Sequence, residues 1–179
     1  MSANAPQSSS VSPLAPWQSG DVVPAPLNIY SCLVEQEWVD YNGHMTEAAY
    51  LSAFGWGSDA LFTYIGDNDA YSSAGNSFYT VETHIVYESE AFLNEPLRIE
   101  TRVLAVDAKR LHIHHTMFNG DNGKRLSTTE QMLVHVDMNA GKSAPILPHV
   151  AAALDAISKS HSTLPVPDDV GRVMKIKKK

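Results

Sequence analysis

The 179 residues carry a formal net charge of −7, with 44% hydrophobic and 18% charged residues, the composition of one globular domain with a core of its own. The acidic balance excludes a general nucleic-acid binder, because phosphate binding needs a basic field. A single cysteine, Cys32, excludes an intrachain disulfide and fits a reducing compartment.

Residues 1–26 are rich in Pro and Ser and read as a disordered or draped N-terminal arm. The arm has neither the basic start nor the apolar stretch of a secretory signal. No run approaches the roughly 18 apolar residues of a membrane span. The expectation is a cytoplasmic protein without membrane or nucleic-acid partners. Leu27 to Val39 is extended in character. Thr46 to Ile65 reads as a helix, with the Thr46 hydroxyl as N-cap and Gly66 as C-cap. "DNDAYSSAGNS" (67–77) follows as a loop. In "FYTVETHIVYES", alternation puts Tyr79, Val81, Ile85 and Tyr87 on one face of a strand. "PLRIETRVLAVD", "RLHIHHTMF" and "KRLSTTEQMLVHVD" are three further strands, the last two joined by the hairpin signal "NGDNG". "HVAAALDAISKS" is a short amphipathic helix, and a basic tail, solvated and frayed, closes the chain. One strand, one long helix and a run of antiparallel strands make an α+β pattern.

The long helix has almost no polar stripe, which marks it as buried. A small domain can bury such a helix by curling an antiparallel sheet around it. Gly55 and Gly57 each cost about 1 kcal/mol relative to Ala in a helix, so close contact between helix backbone and sheet is expected at them, with room for a ligand as the alternative. Just upstream lies a turn-rich segment with Asp40, Asn42, Gly43 and His44. The free amides and partial positive charge of a buried helix N-terminus can stabilise an oxyanion. Asp40 is placed to act on the same carbonyl as base or nucleophile, and Gly43 to let the backbone approach. The chemistry suggested is acyl transfer or hydrolysis without a metal. The structural alternative is that Asp40 and Asn42 only make the side-chain turns that start the helix.

Asp40, Gly43-His44 and Tyr50-Leu51 together resemble the signature of the hotdog-fold thioesterases of the 4-hydroxybenzoyl-CoA thioesterase type. More narrowly, "WVDYNGHMTEAAYL", "YTVETHI" and "EQMLVHVD" resemble the betainyl-CoA thioesterases of carnitine breakdown. The resemblance covers about Leu27 to Pro165, so the expected organisation is an arm (1–26), a hotdog domain (27–165) and a tail (166–179). It implies a long helix wrapped by a five- or six-stranded antiparallel sheet, assembled as a homodimer or dimer of dimers with sites at the interface. It implies an acyl-CoA substrate and no cofactor. Asp40 is then the catalytic carboxylate, with Asn42 beside it, and the amides around His44 and Met45 bind the thioester oxygen. Many relatives carry asparagines where this chain has Thr46 and Glu47, so contacts made by those asparagines do not transfer.

A trimethylammonium group cannot donate hydrogen bonds and is recognised by aromatic faces and diffuse negative charge. Trp38, Tyr41, Tyr50, Trp56, Tyr79 and Tyr87, with the acids Glu47 and Glu82, are the candidates for such a cage. Each is otherwise a packing residue. Lys109 and Arg110, between two strands, are candidates for the CoA phosphates, or else a solvated turn. In "LHIHH", His112 and His114 share a strand face that His84 could join, but no matched carboxylate spacing follows and no metal is expected. The competing readings are a general short-chain or aromatic acyl-CoA thioesterase, a hotdog enoyl-CoA hydratase and a non-catalytic acyl-CoA-binding module. The hydratase pattern places His five residues after its Asp. Here His44 comes at four.

Overall fold

The computed structural model describes residues 14–176. Strands β1 (Leu27–Leu33), β2 (Asn76–Tyr87), β3 (Pro96–Val106), β4 (Arg110–Asn119) and β5 (Arg125–Asp137) form one antiparallel sheet in the order β1-β3-β4-β5-β2, with a two-residue β6 (Lys142–Ser143) beside β5. Helix α1 (Glu47–Ile65) lies in the curl of this sheet, and α3 (Pro148–His161) packs beside the C-terminal end of α1. This is the hotdog arrangement that the resemblance implies.

The core has two parts along α1. Phe54 and Ala53 pack with Leu97, Ile99 and Met117 near the helix start. Leu61 and Ile65 pack with Val103, Leu111 and the apolar face of α3 near its end. Alternate residues of β3, β4 and β5 supply the sheet side of both, as the period-two pattern requires. Gly66 ends α1 in the left-handed region, with φ of 90°, a conformation that glycine adopts without steric cost.

The helix is not buried all round. Leu51, Ser52, Gly55, Asp59 and Thr63 form an exposed stripe on the side away from the sheet. The two helix glycines therefore differ. A Cβ on Gly57 would stand 3.1 Å from Ile99 Cγ2, whereas one on Gly55 would meet nothing within 4 Å. Close contact with the sheet accounts for Gly57 alone. Thr46 occupies the N-cap position, but its side chain makes no capping bond.

Three further expectations change. Residues 67–77 are not all loop: Asn68 Oδ1 accepts bonds from the amides of Ala70 and Tyr71 and caps a short helix α2 (Asp69–Ser73). Residues 27–39 are not extended throughout, because β1 ends at Leu33 and a 3-10 turn intervenes at Gln36–Trp38 before Val39 returns to extended backbone. Most consequentially, β2 slips by one residue against β5 between Thr80 and Glu82. This bulge reverses the pleat beyond it. Tyr79, Glu82 and His84 fall on the outer face, while Phe78, Ile85 and Tyr87 turn toward the helix.

Residues 1–13 of the arm lie outside the described residues. Its remainder is draped on the domain: the Trp17 amide donates to the Tyr64 carbonyl at 2.8 Å, and Ser160 Oγ to the Val23 carbonyl at 3.0 Å. After α3 the chain crosses the outer face of the sheet. Arg102 donates to the carbonyl of Pro165 at 2.6 Å. Asp169 accepts from Thr128 Oγ1 at 2.5 Å and lies 3.2 Å from His114 Nε2, and the Gly171 amide donates to Glu130 Oε2 at 2.7 Å. The segment 165–171 is thus strapped to the sheet, while the described part of the basic tail beyond it, from Val173 to Ile176, is exposed. Residues 177–179 lie outside the described residues.

Candidate active site

The segment from Asp40 to Met45 is a tight turn held on both flanks. Gly43 donates to the Asp40 carbonyl at 2.9 Å, and the Asp40 amide to the His44 carbonyl at 3.0 Å. The Thr46 amide reaches the Trp38 carbonyl and the Met45 amide the Ala91 carbonyl, each at 2.8 Å. Gly43 has a φ of 77° and no atom within 4 Å of an added Cβ. It serves the turn's left-handed backbone, not a close approach.

Inside this turn the Asp40 carboxylate is fixed. Its Oδ1 accepts from the amides of Asn42 at 2.8 Å and His44 at 3.2 Å, and Oδ2 makes only a long contact of 3.4 Å with Asn42 Nδ2. Partial desolvation alone would raise its pKa, but these donors outweigh it and hold the carboxyl below the ordinary aspartate value. Oδ2 is the freer oxygen, on a carboxylate that stays ionised at neutral pH.

Asp40 opens onto a cleft of about 570 Å³ lined by His44, Met45, Thr46, Glu47, Tyr50 and the Tyr87–Glu90 segment. Tyr50 and Tyr87 meet edge to face, with centroids 5.5 Å apart, and their hydroxyls donate to the Ser89 and Glu47 carbonyls. Glu47, Glu88 and Glu90 join Asp40 in the lining, and among the described residues neither Lys nor Arg lines it. Glu88 pairs with Arg125 at 2.7 Å, and Glu90 sits 3.4 Å from His44 Nδ1.

The expected oxygen-binding amides need correction. Those of His44 and Met45 are already committed, to Asp40 and to Ala91. Helix geometry leaves the first-turn amides of Glu47 and Ala48 without an intrahelical acceptor, and these are the donors available where α1 meets the cleft.

Of the expected cage, the cleft gathers Glu47, Tyr50 and Tyr87. It does not gather Tyr41, which is 97% exposed at the turn, or Trp38, which packs against the core. Trp56 lies midway along α1, outside the lining. Tyr79 and Glu82 lie on the outer face because of the bulge. Lys109 and Arg110 sit at the Tyr79 end of the sheet, away from Asp40, and Arg110 is tied to Asp107 at 2.6 Å. The histidines of "LHIHH" diverge: His112 pairs with Glu130, His114 faces Asp169, and His115 is buried against α1. Glu88 and Glu90 escaped the sequence reading. Their only signal is acidic residues directly after a strand that ends in Tyr87.

The wrapped-helix fold thus sets a fixed carboxylate, Asp40, beside the start of α1 at the mouth of a cleft. Residues 34–154 match the model of the thioesterase-like superfamily, and the chain belongs to that family of thioester hydrolases. A betainyl-CoA thioesterase of Pseudomonas aeruginosa is 40% identical over 149 residues, covering 83% of this chain and 94% of the relative. An L-carnitine dehydrogenase/betainyl-CoA thioesterase of Rhizobium meliloti is 46% identical over 147 residues, 82% of this chain, which spans only 30% of that longer protein. A solved structure from Pseudomonas putida KT2440, named as a candidate thioesterase, superposes with a TM-score of 0.75 at 33% identity, covering 87% of this chain and all of the other.

Proposed function

We propose that this thioesterase hydrolyses betainyl-CoA to betaine and free CoA, and that it does so as a homodimer or dimer of dimers. The observation that carries the substrate is the cleft lining: four carboxylates and a tyrosine pair, of which only Glu88 is matched by an arginine, Arg125 at 2.7 Å. CoA is itself polyanionic, so such a lining disfavours its phosphates and favours a cationic acyl group. A trimethylammonium on the Tyr50–Tyr87 faces gains roughly 0.5–2 kcal/mol, more as it is desolvated.

In the proposed reaction the thioester oxygen takes the amides of Glu47 and Ala48. Asp40 Oδ2 either attacks the carbonyl carbon or takes a proton from the water that does. The negative charge of the tetrahedral intermediate then builds at the helix N-terminus, where preorganised donors and the helix dipole favour it, and CoA leaves as the thiolate. Where Asp40 itself attacks, a water then hydrolyses the resulting acyl-aspartyl anhydride to release betaine and restore the carboxylate. Lys109 remains the candidate for a CoA phosphate, since Arg110 is neutralised by Asp107. The dimer is supported by β2, a twelve-residue strand at the edge of the sheet. A free edge of that length is a liability that two-fold pairing removes.

The test compares betainyl-CoA with 3,3-dimethylbutyryl-CoA, in which carbon replaces nitrogen at nearly equal volume. The expected preference in kcat/KM is on the order of a hundredfold. Equal values would leave a general short-chain acyl-CoA thioesterase. Light scattering at micromolar concentration checks the assembly, and an active monomer would reject it.

A further inference from the structure

Helix α1 begins beside the last residue of β2, and the contact between them falls on one peptide group. The Tyr87 hydroxyl donates to the Glu47 carbonyl at 3.3 Å. That carbonyl and the Ala48 amide are the two ends of the same planar, trans unit and point in opposite directions. In a helix the carbonyl points along the axis into the next turn and the first-turn amide points out of the N-terminus. The amide that follows is already used: Ala49 donates to the Thr46 carbonyl at 3.0 Å. Ala48 therefore carries the last open donor of the first turn, and its peptide is the one that Tyr87 grips from behind.

Tyr87 is held for this contact from three sides. The amides of Glu88 and Ser89 donate to the Leu126 carbonyl at 2.9 and 3.0 Å and fix the chain beyond it. Ser127 lies opposite Tyr87 in the ladder between β2 and β5. Tyr50 meets its ring edge to face, with centroids 5.5 Å apart. Burial, and then the Glu47 carboxylate, raise the Tyr87 phenol above its ordinary value, so the hydroxyl keeps its proton at neutral pH. Hydrogen bonds in series polarise one another, by roughly 10–30% per bond.

We propose that Tyr87 is a positioning residue for the reaction: its hydroxyl, bonded to the Glu47 carbonyl, orients and polarises the Glu47–Ala48 peptide, so that the Ala48 amide is a stronger donor to the thioester oxygen. This rests on the assignment of that oxygen to the start of α1 made above, and not on the charge of the acyl group. One residue then serves two tasks, its ring facing the acyl group and its hydroxyl acting through the peptide on the oxyanion. Losing an oxyanion donor outright costs on the order of a hundred- to a thousandfold in kcat. A strengthening of roughly 10–30% of that effect is worth about two- to eightfold.

The experiment is a double-mutant cycle in the full chain. Tyr87→Phe keeps the ring and removes the hydroxyl. Ala48→Pro removes the amide proton in the first turn of a helix, where proline is tolerated. Tyr87→Phe lowers kcat by about two- to eightfold on betainyl-CoA and on 3,3-dimethylbutyryl-CoA alike, and leaves the ratio of the two kcat/KM values unchanged. Ala48→Pro lowers kcat by about a hundredfold or more, and adding Tyr87→Phe to it has no further effect. At pH 7, kcat rises from Tyr87→Phe through wild type to Tyr87→3-fluorotyrosine, in the order of donor acidity. Wild-type kcat in Tyr87→Phe would overturn the proposal, as would a 3-fluorotyrosine enzyme slower than wild type. An equal loss with and without the Ala48 amide would also overturn it, since that is the mark of a merely structural contact. An Ala48→Pro protein with a wild-type urea midpoint and wild-type kcat rejects the oxyanion assignment and this role with it. Equal hydrolysis of the two thioesters by the wild type rejects the betainyl reading alone, because both substrates share the carbonyl oxygen.

Discussion

Two polar clusters flank the first half of α1, and each holds a histidine. At the helix start, Asp40 and His44 face a cleft. On the sheet side, Ser58 Oγ lies 3.0 Å from His115 Nε2, and Thr101 Oγ1 lies 2.9 Å from His115 Nδ1. Judged by residue type, the serine–histidine–threonine set looks more like a nucleophile with its base. It is sealed, however: His115 has no exposed surface, Phe54 stacks on its ring, and the Ser58 hydroxyl also meets the Phe54 carbonyl and Gln131. The Asp40 turn is the reverse case. Its backbone donors converge on one carboxylate oxygen and leave the other with only the long contact to Asn42. A satisfied polar cluster specifies packing. A fixed acceptor beside a cleft is available for chemistry.

The strongest break of this contrast is Asp40→Asn. It should lower kcat by a hundredfold or more, the usual range for a positioned acid–base group, with an unchanged thermal midpoint. Near-wild-type turnover in folded protein would move the site elsewhere. Because the amide donors keep Asp40 ionised below the ordinary aspartate range, kcat/KM should hold from pH 8 down to about 5, as a rate profile would show.

Ser58→Ala should do the opposite. Removing one member of the sealed cluster costs about 1–3 kcal/mol, readable as a shifted urea midpoint, while kcat/KM stays within about twofold. A Ser58→Ala enzyme that is stable and inactive would reverse the comparison.

The sealed cluster also makes stability depend on pH. Burial, with a smaller contribution from His114, lowers the His115 pKa to about 3, against about 6.5 in an unfolded chain. Below about pH 6.5 the unfolded chain therefore takes up a proton that the folded one refuses. Stability falls by up to about 1.4 kcal/mol per unit, or about 2 kcal/mol from pH 6.5 to 5. Burial shifts His114 and His161 in the same direction, and Asp40 titrates below this window. Urea unfolding at the two pH values checks the sum, and a flat response would contradict a neutral His115.

The smallest effect is expected at the rim. The His44–Glu90 pair is 3.4 Å apart and Glu90 is 65% exposed, so Glu90→Gln should change stability by less than about 0.5 kcal/mol. It should weaken the preference for betainyl-CoA over its neutral analogue by about two- to threefold. A larger loss would mean that Glu90 contacts the cation directly.

Much of this was legible in the chain. The long helix, the four strands after it and the Asp40 turn follow from periodicity, the Gly66 stop and the "NGDNG" hairpin. What escaped depends on long-range register. Nothing in "YTVET" announces a bulge, because Val81 and Glu82 are ordinary strand residues, yet the bulge decides that Tyr87 enters the cleft and Tyr79 does not. Glu88 and Glu90 matter only because β2 ends where α1 begins. The exposed stripe of α1 was hidden because its leucine, glycine and serine look alike whether they face a sheet or open space. His112 and His114 share a face but meet different acids, Glu130 and Asp169, whereas His115, one residue on, turns to the opposite face and is buried against α1.

The bulge in β2 works like a change of reading frame in the pleat. On one side of it the strand keeps phase with the core through Phe78; on the other it keeps phase with the cleft through Tyr87. Deleting the single residue Val81 would merge the two frames, leaving either Phe78 facing outward and the core short of a ring, or Tyr87 facing outward and the cleft short of a wall. Substitutions along β2 can be absorbed one position at a time. A change in its length by one residue cannot, so drift in this strand is confined to sequence and its length is held fixed by two sets of neighbours at once.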